Sequence, residues 1–171
     1  MKADAAAVNK CVIGKTKPPI VVEVLLLSVP EEMLMYRRVH RILPEHEEPD
    51  AVAWRACRPR RDSPFILHST SWRFDRGRVI LTFAALPDPR PGGRNHPIPL
   101  HAARGRKRKT PTTDEVAAHA CRHLAFLART DDTVANDLCR HPRLRSLILQ
   151  HVPDLAGEQP AVAPTRSRMG P

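Results

Sequence analysis

Proline is the residue that most limits how this chain can fold. There are eighteen prolines among 171 residues, about twice the usual share. Each proline fixes φ and removes a backbone hydrogen-bond donor, so helices must end or bend often. This excludes a coiled coil or an all-helical bundle. Because 42% of the residues are hydrophobic, the segments between the prolines can still form a packed core in a chain of about one domain.

A continuous apolar run near the start of the chain predicts a buried strand. Residues 20–27 are β-branched or leucine apart from Glu23, a pattern typical of a strand that is covered on both faces. Ser28 and Glu31 then match a capping box, with Pro30 between them. The sequence therefore predicts a helix over residues 30–43, ending before Pro44.

The middle of the chain predicts three further strands. Residues 51–57 alternate as a short strand, with Trp54 on its apolar side. Residues 65–74 and 78–86 are rich in β-formers, and Asp75, Arg76 and Gly77 between them predict a hairpin. Strict alternation places five side chains on one face of its first strand: Ile66, His68, Thr70, Trp72 and Phe74.

The second half of the chain predicts a long loop followed by helices. Residues 87–111 hold prolines and glycines without periodicity, so we expect a loop. Thr112 and Glu115 form a second capping box, which predicts a helix to about Arg129. A helix capped by Asp131 or Asp132 and a last one from Pro142 follow.

These elements predict one α+β domain. The sheet is mostly antiparallel in the order β-α-β-β-β, and the C-terminal helices pack on the face that carries Trp72. We expect residues 1–19 to be a disordered lead-in, residues 20–151 to form the domain with its basic loop at 87–111, and residues 152–171 to be a disordered tail.

Positive charge is concentrated in the predicted loop. The net charge is +10, and residues 90–109 contribute seven basic residues and no acid. The densest part is a predicted anion-binding site: Arg104, Arg106, Lys107, Arg108 and Lys109. A flexible basic arm can bind phosphates weakly and in a salt-dependent way. The predicted partner is a nucleic acid or an acidic protein. A solvated loop, or the arginine-rich bias of a GC-rich genome, would explain the same charges.

Three histidines form an alternative site. His119 and His123 are four residues apart, so both project from one face of the predicted helix. With His68 from the hairpin they could line a pocket that binds a ligand or a metal ion. Ala120 stands where the zinc-protease pattern HExxH needs a glutamate. We therefore expect no metal and no cofactor, and we assign no catalytic residue.

The four cysteines and the absence of a leader suggest the compartment. Cys11, Cys57, Cys121 and Cys139 form no CxxC pair, which excludes a zinc ribbon or a thioredoxin-type motif. No signal peptide precedes them, and no run approaches the length of a membrane span. We therefore expect reduced thiols in a cytoplasmic, soluble protein without a membrane partner.

Three functions stay open. Nucleotide-binding loops, the nucleophile elbow of hydrolases and kinase motifs are all missing, which favours a role other than catalysis. The first function is a small binding domain that uses its basic loop for a weak anionic or acidic partner. The alternatives are an enzyme or ligand-binding protein with the His68, His119 and His123 pocket, and a scaffold subunit of an oligomer.

Residues 66–74, 78–89 and 116–127 also carry a resemblance. These blocks make up about a fifth of the chain and resemble a family of small soluble proteins to which no reaction is assigned. The resemblance implies that the hairpin and the following helix belong to one unit. It implies no catalytic residue.

Overall fold

The protein is an α+β domain built on a five-stranded, mostly antiparallel sheet. The computed structural model describes residues 17–60, 63–100 and 110–152. Its strands are β1 (Ile20–Ser28), β2 (Met35–Ile42), β3 (Ile66–Asp75), β4 (Arg78–Leu86) and β5 (His96–Pro97). Its helices are α1 (Pro49–Cys57), α2 (Thr113–Thr130), α3 (Asp132–Cys139) and α4 (Pro142–Ile148). The prediction of an α+β fold is confirmed.

Strand β1 is the centre of the sheet, as its apolar sequence predicts. The strand order is β3-β4-β1-β2-β5. Strand β1 pairs parallel with β4 and antiparallel with β2. Residues Val21–Ser28 are all buried, because each face of the central strand is covered by helices or loops. The outermost strands are β3 on one side and β5 on the other.

The predicted helix over residues 30–43 is wrong. Glu31 and Glu32 both adopt positive φ angles, 51° and 62°, and the chain turns there with Met33 N bonded to the carbonyl of Pro30. The following residues form β2, which pairs along its whole length with β1. Pairing with the central strand outweighs the local capping signal, because a tertiary contact commonly overrides weak helix propensity.

The predicted strand over residues 51–57 is also wrong, since this segment is helix α1. Pro49 occupies its first turn, where a missing N–H costs nothing, and three alanines follow within the helix. The helix buries Val52, Ala53 and Cys57 and leaves Trp54 half exposed. Helical rather than strand periodicity therefore decides which side chains reach the core.

The predicted hairpin of β3 and β4 is confirmed, but its predicted face is not. The register shifts between Ser69 and Ser71, so Thr70 is an extra residue that forms a β-bulge. A single inserted residue reverses the alternation beyond it. Ile66 and His68 therefore face the C-terminal helices, whereas Trp72 and Phe74 face away from them. The prediction that these helices pack on the Trp72 face is wrong for this reason.

Two hydrophobic clusters lie on the two faces of the sheet. One face carries Leu25, Leu27 and Ala84 against α2, α3 and α4, which confirms that the C-terminal helices share one face. The other face carries Val22, Val24 and Phe83 against α1 alone. The short helix α1 covers only part of this second face.

The predicted C-terminal helices and their caps are confirmed. The hydroxyl of Thr112 accepts a bond from Glu115 N while the Glu115 carboxylate accepts one from Thr112 N, which is a complete capping box. Asp131 caps α3, and Pro142 opens α4.

The structure describes residues 87–100, 110 and 111 of the predicted loop. Its residues His96 and Pro97 pair with β2, and Ile98 is buried. The predicted lead-in lies outside the described residues up to residue 16, and the predicted tail lies outside them from residue 153. Within the described ranges, no helix has both the length and the apolar character to cross a membrane.

Candidate functional site

A cavity rich in arginine opens where the β3–β4 hairpin turns beside the start of α2. We name it the arginine cavity, and its volume is about 750 Å³. Its charged and titratable lining residues are Arg38, His40, Arg73, Asp75, Arg76 and Arg78. Val21, Ile80 and residues 110–113 complete the wall. Positive charge therefore converges here from β2, β3, β4 and the turn between the last two.

A buried carboxylate organises the arginine cavity from beneath. Glu23 lies in the middle of β1 and is fully buried. Arg73 donates to both of its oxygens, with Nη1 2.8 Å from Oε2 and Nη2 3.0 Å from Oε1. His40 Nε2 lies 3.0 Å from Oε1, and the Thr82 hydroxyl donates to Oε2 at 3.1 Å. The carboxylate thus fixes the positions of two lining side chains.

The partners of Glu23 keep it ionised despite its burial. Burial by itself would raise its pKa, but the bonds from His40, Arg73 and Thr82 and the charge of Arg73 lower the pKa to about 2. A group with such a pKa holds no proton at neutral pH, so it cannot serve as a general acid there. Its role is to hold cations in place.

The start of α2 fixes a further arginine of the cavity. Arg38 Nη1 donates to the Thr113 hydroxyl at 2.6 Å and lies 3.7 Å from the Glu23 carboxylate. The next residue, Asp114, accepts a hydrogen bond from the Tyr36 hydroxyl at 2.6 Å. Burial and this bond to a carboxylate raise the pKa of Tyr36. These contacts tie the first turn of α2 to β2.

Arg76 and Arg78 differ from the two anchored arginines. Both are exposed at the hairpin turn, and neither forms an ion pair with another residue that the structure describes. Four arginines and one acid, Asp75, line the cavity, while Glu23 lies beneath it and Asp114 and Glu115 follow in the first turn of α2. Positive charge therefore predominates in the wall itself. Planar guanidinium groups bind phosphate or carboxylate oxygens in pairs, so an anion is the ligand that this arrangement fits.

The predicted anion-binding residues lie outside the described residues. These are Arg104, Arg106, Lys107, Arg108 and Lys109. The run ends immediately before Thr110, which lines the arginine cavity. Sequence reasoning found this run and missed the cavity itself. The missed signal was Glu23, since an acid within a buried strand requires cations on its neighbours.

The predicted histidine site is partly assembled. The rings of His68 and His123 are stacked with centroids 5.4 Å apart, so β3 and α2 do bring these two residues together. Burial lowers the pKa of His123, and the neighbouring His68 and His119 lower it further. Among the described residues, no group of three or more His, Cys, Asp or Glu side chains could hold a metal ion.

The cysteines of the described ranges are free thiols. Cys57 and Cys121 are buried, and Cys139 is exposed. Burial raises the pKa of Cys57 and of Cys121 to about 12, so neither forms the reactive thiolate at neutral pH. Cys11 lies outside the described residues.

No protein-family model, curated protein or solved structure matches this chain.

Proposed function

We propose that this protein is a binding domain for polyanions that carry phosphate, and that the arginine cavity anchors the ligand. The observation that supports this most directly is the Glu23 cluster. A buried carboxylate holds Arg73 and His40, and the first turn of α2 holds Arg38, so part of the cationic wall is fixed before any ligand binds. Preorganised donors lose little side-chain entropy on binding.

Arg76 and Arg78 supply the contacts that can still adapt to a ligand. They extend from the hairpin turn at the mouth of the cavity and can each pair with two phosphate oxygens. The basic run from Arg104 to Lys109 joins the cavity wall at Thr110, and we include it in the same contact. A polyanion that meets both groups would release several counterions, so its affinity depends steeply on salt.

An acidic protein is the alternative partner, since carboxylates also pair with guanidinium groups. Polyphosphate and polyglutamate of matched charge distinguish the two. We expect polyphosphate to compete for the site at a lower concentration, because its charges lie directly on the backbone, whereas polyglutamate must immobilise a flexible side chain for each pair it forms.

The test replaces the two unanchored arginines with glutamine. For R76Q/R78Q, affinity for polyphosphate at low salt should fall about tenfold, and the slope of log affinity against log salt should become shallower by about one to two. Replacement of Arg104, Arg106, Lys107, Arg108 and Lys109 by alanine should weaken binding further. Fluorescence anisotropy over a salt series measures both quantities.

A variant with the same loss of charge elsewhere is the control. Arg140 and Arg143 lie near the opposite end of β1, beside Ser28, and both are exposed. The R140Q/R143Q protein should bind polyphosphate within about twofold of the unmodified protein, since distant exposed charges are screened. Equal losses in both variants would show that only net charge matters, and they would refute a defined site. Absence of salt-dependent binding by the unmodified protein would also refute it.

A further inference from the structure

Aromatic side chains lie at both ends of the outer strand β3, on the face of the sheet opposite α2. We name them the aromatic strip, whose members are Trp54, Phe65, Trp72 and Phe74. Trp72 is 71% exposed, Phe74 61% and Trp54 49%. Trp54 meets Phe65 edge to face, with ring centroids 5.4 Å apart. The strip contains both tryptophans of the chain.

The bulge in β3 and the shortness of α1 together create the aromatic strip. Beyond the bulge, Trp72 pairs with Leu81 and Phe74 pairs with Val79, so both rings project to the α1 side. Helix α1 covers Val22, Val24 and Phe83 on that side and does not reach the hairpin turn. Exposed apolar side chains that gather on one face are typical of binding surfaces.

Arginines flank the aromatic strip at both ends. Arg55, Arg58 and Arg60 surround Trp54 and Phe65 in a cavity of about 740 Å³. Arg76 and Arg78 follow Phe74 in the chain. Successive residues of a strand project to opposite faces, so Arg73 enters the arginine cavity while Phe74 joins the strip. Because β3 is an outer strand, a ligand can pass over its free edge from one surface to the other.

We propose that the aromatic strip binds a single-stranded nucleic acid, with bases stacked on Trp72 and Trp54 and phosphates held by the flanking arginines. This inference rests on the proposed function and names its ligand. Stacking on aromatic side chains needs unpaired bases, and the surrounding cations need an anion. A second copy of this chain fits less well, because two proteins of charge +10 repel one another.

The length of β3 sets the length of the ligand. Its ten residues extend about 30 Å at the usual rise of a strand. At most about nine nucleotides fit this distance, because about 3.4 Å is the spacing of fully stacked bases in a duplex and bases that stack on protein rings lie further apart. An oligothymidylate of about twelve nucleotides therefore covers the strip and reaches the arginine cavity.

The experiment compares three probes of equal length: oligothymidylate, the same backbone without bases, and a duplex. The unmodified protein should bind oligothymidylate most tightly. The W72A and W54A substitutions should each lower that affinity about tenfold, which lies within the range measured for one stacked base, and should change affinity for the abasic strand less than twofold. W54F leaves Trp72 as the single tryptophan of the chain, and W72F leaves Trp54. Quenching of tryptophan emission by oligothymidylate in both proteins would localise the bases on both rings.

One control and three outcomes test this inference separately from the proposed function. M33A removes an exposed apolar side chain that is not part of the strip and should leave all affinities unchanged. If the abasic strand binds as tightly as oligothymidylate, polyanion binding stands and stacking is refuted. If no probe binds, both proposals fail. A dimer in sedimentation that dissociates on W72A substitution would show that the strip is an interface between copies and would overturn the inference.

Discussion

Glu23 shows how a single buried residue can determine the chemistry of a surface. A carboxylate in the central strand is costly to bury unless its charge is compensated. Here Arg73, His40 and Thr82 supply that compensation from β3, β2 and β4; β2 and β4 flank β1, and β3 lies beyond β4. The ion cluster thus ties together strands that are far apart in sequence, and it places the guanidinium of Arg73 in the wall of the arginine cavity.

We expect E23Q to destabilise the protein by about 3 kcal/mol at neutral pH, because the largely buried Arg73 then lacks a counter-charge. This penalty should shrink as the pH falls. The pKa of Glu23 is about 2 in the folded protein against an ordinary value of 4.5, so its contribution is present above pH 4.5 and is lost as the pH falls from there towards 2. Urea unfolding of both proteins across this range measures the difference.

The exposed ion pair of Glu47 with Arg55 is the control for this measurement. E47Q removes the same kind of charge, but exposed pairs contribute little because solvent screens them. Its effect should stay below about 1 kcal/mol. An E23Q penalty as small as that of E47Q, or one that is constant down to pH 2, would contradict the role assigned to Glu23.

At the scale of elements, patterns formed by neighbouring residues along the chain predict most of the strands and helices. The apolar run of β1, the hairpin and the capping box of α2 are such patterns, and all were predicted correctly. Residues 30–43 and 51–57 were assigned the wrong type. For the former, pairing of β2 with β1 decides the outcome, and this depends on residues that a local pattern does not contain.

The candidate site was harder to predict because one residue changes its layout. Thr70 forms the bulge that turns Trp72 and Phe74 away from α2, and nothing in the alternating sequence marks that position. The arginine cavity likewise joins residues from β2, the hairpin and the start of α2. Sequence identified the cations of the loop, whereas the convergence of Arg38, Arg73 and Arg78 depends on the strand order.

The capping box of α2 gives a prediction at this scale. T112A removes the hydroxyl that accepts a bond from Glu115 N at 3.2 Å, so the free energy of unfolding should fall by about 1 kcal/mol. T112S keeps the acceptor and should restore most of it. T130A makes the same change at the other end of α2, where the hydroxyl only donates to the Phe126 carbonyl, and should cost less than about 0.5 kcal/mol. Chemical denaturation compares the three variants, and equal losses at both ends would refute the cap.

For the whole molecule, the surplus of positive charge lowers the stability of the folded state and also favours the binding of anions. A net charge of +10 on 171 residues disfavours the compact state through self-repulsion. The described surfaces concentrate part of that charge around one end of the hairpin, where Arg76 and Arg78 have no carboxylate within ion-pairing distance among the described residues. An anion bound there relieves repulsion and is linked to folding, since an unfolded chain does not hold these arginines together.

Inorganic phosphate should therefore raise the thermal midpoint of the protein more than sodium chloride does at the same ionic strength. At a concentration ten times its dissociation constant, a ligand of the folded state adds about 1.4 kcal/mol. Phosphate also stabilises proteins in general by exclusion from their surfaces, so the informative quantity is the difference between proteins. R76Q/R78Q should lose most of the phosphate-specific gain, whereas R140Q/R143Q should keep it. If all three proteins gain equally, the arginine cavity does not bind the anion, and the positive charge at this end of the sheet needs another explanation.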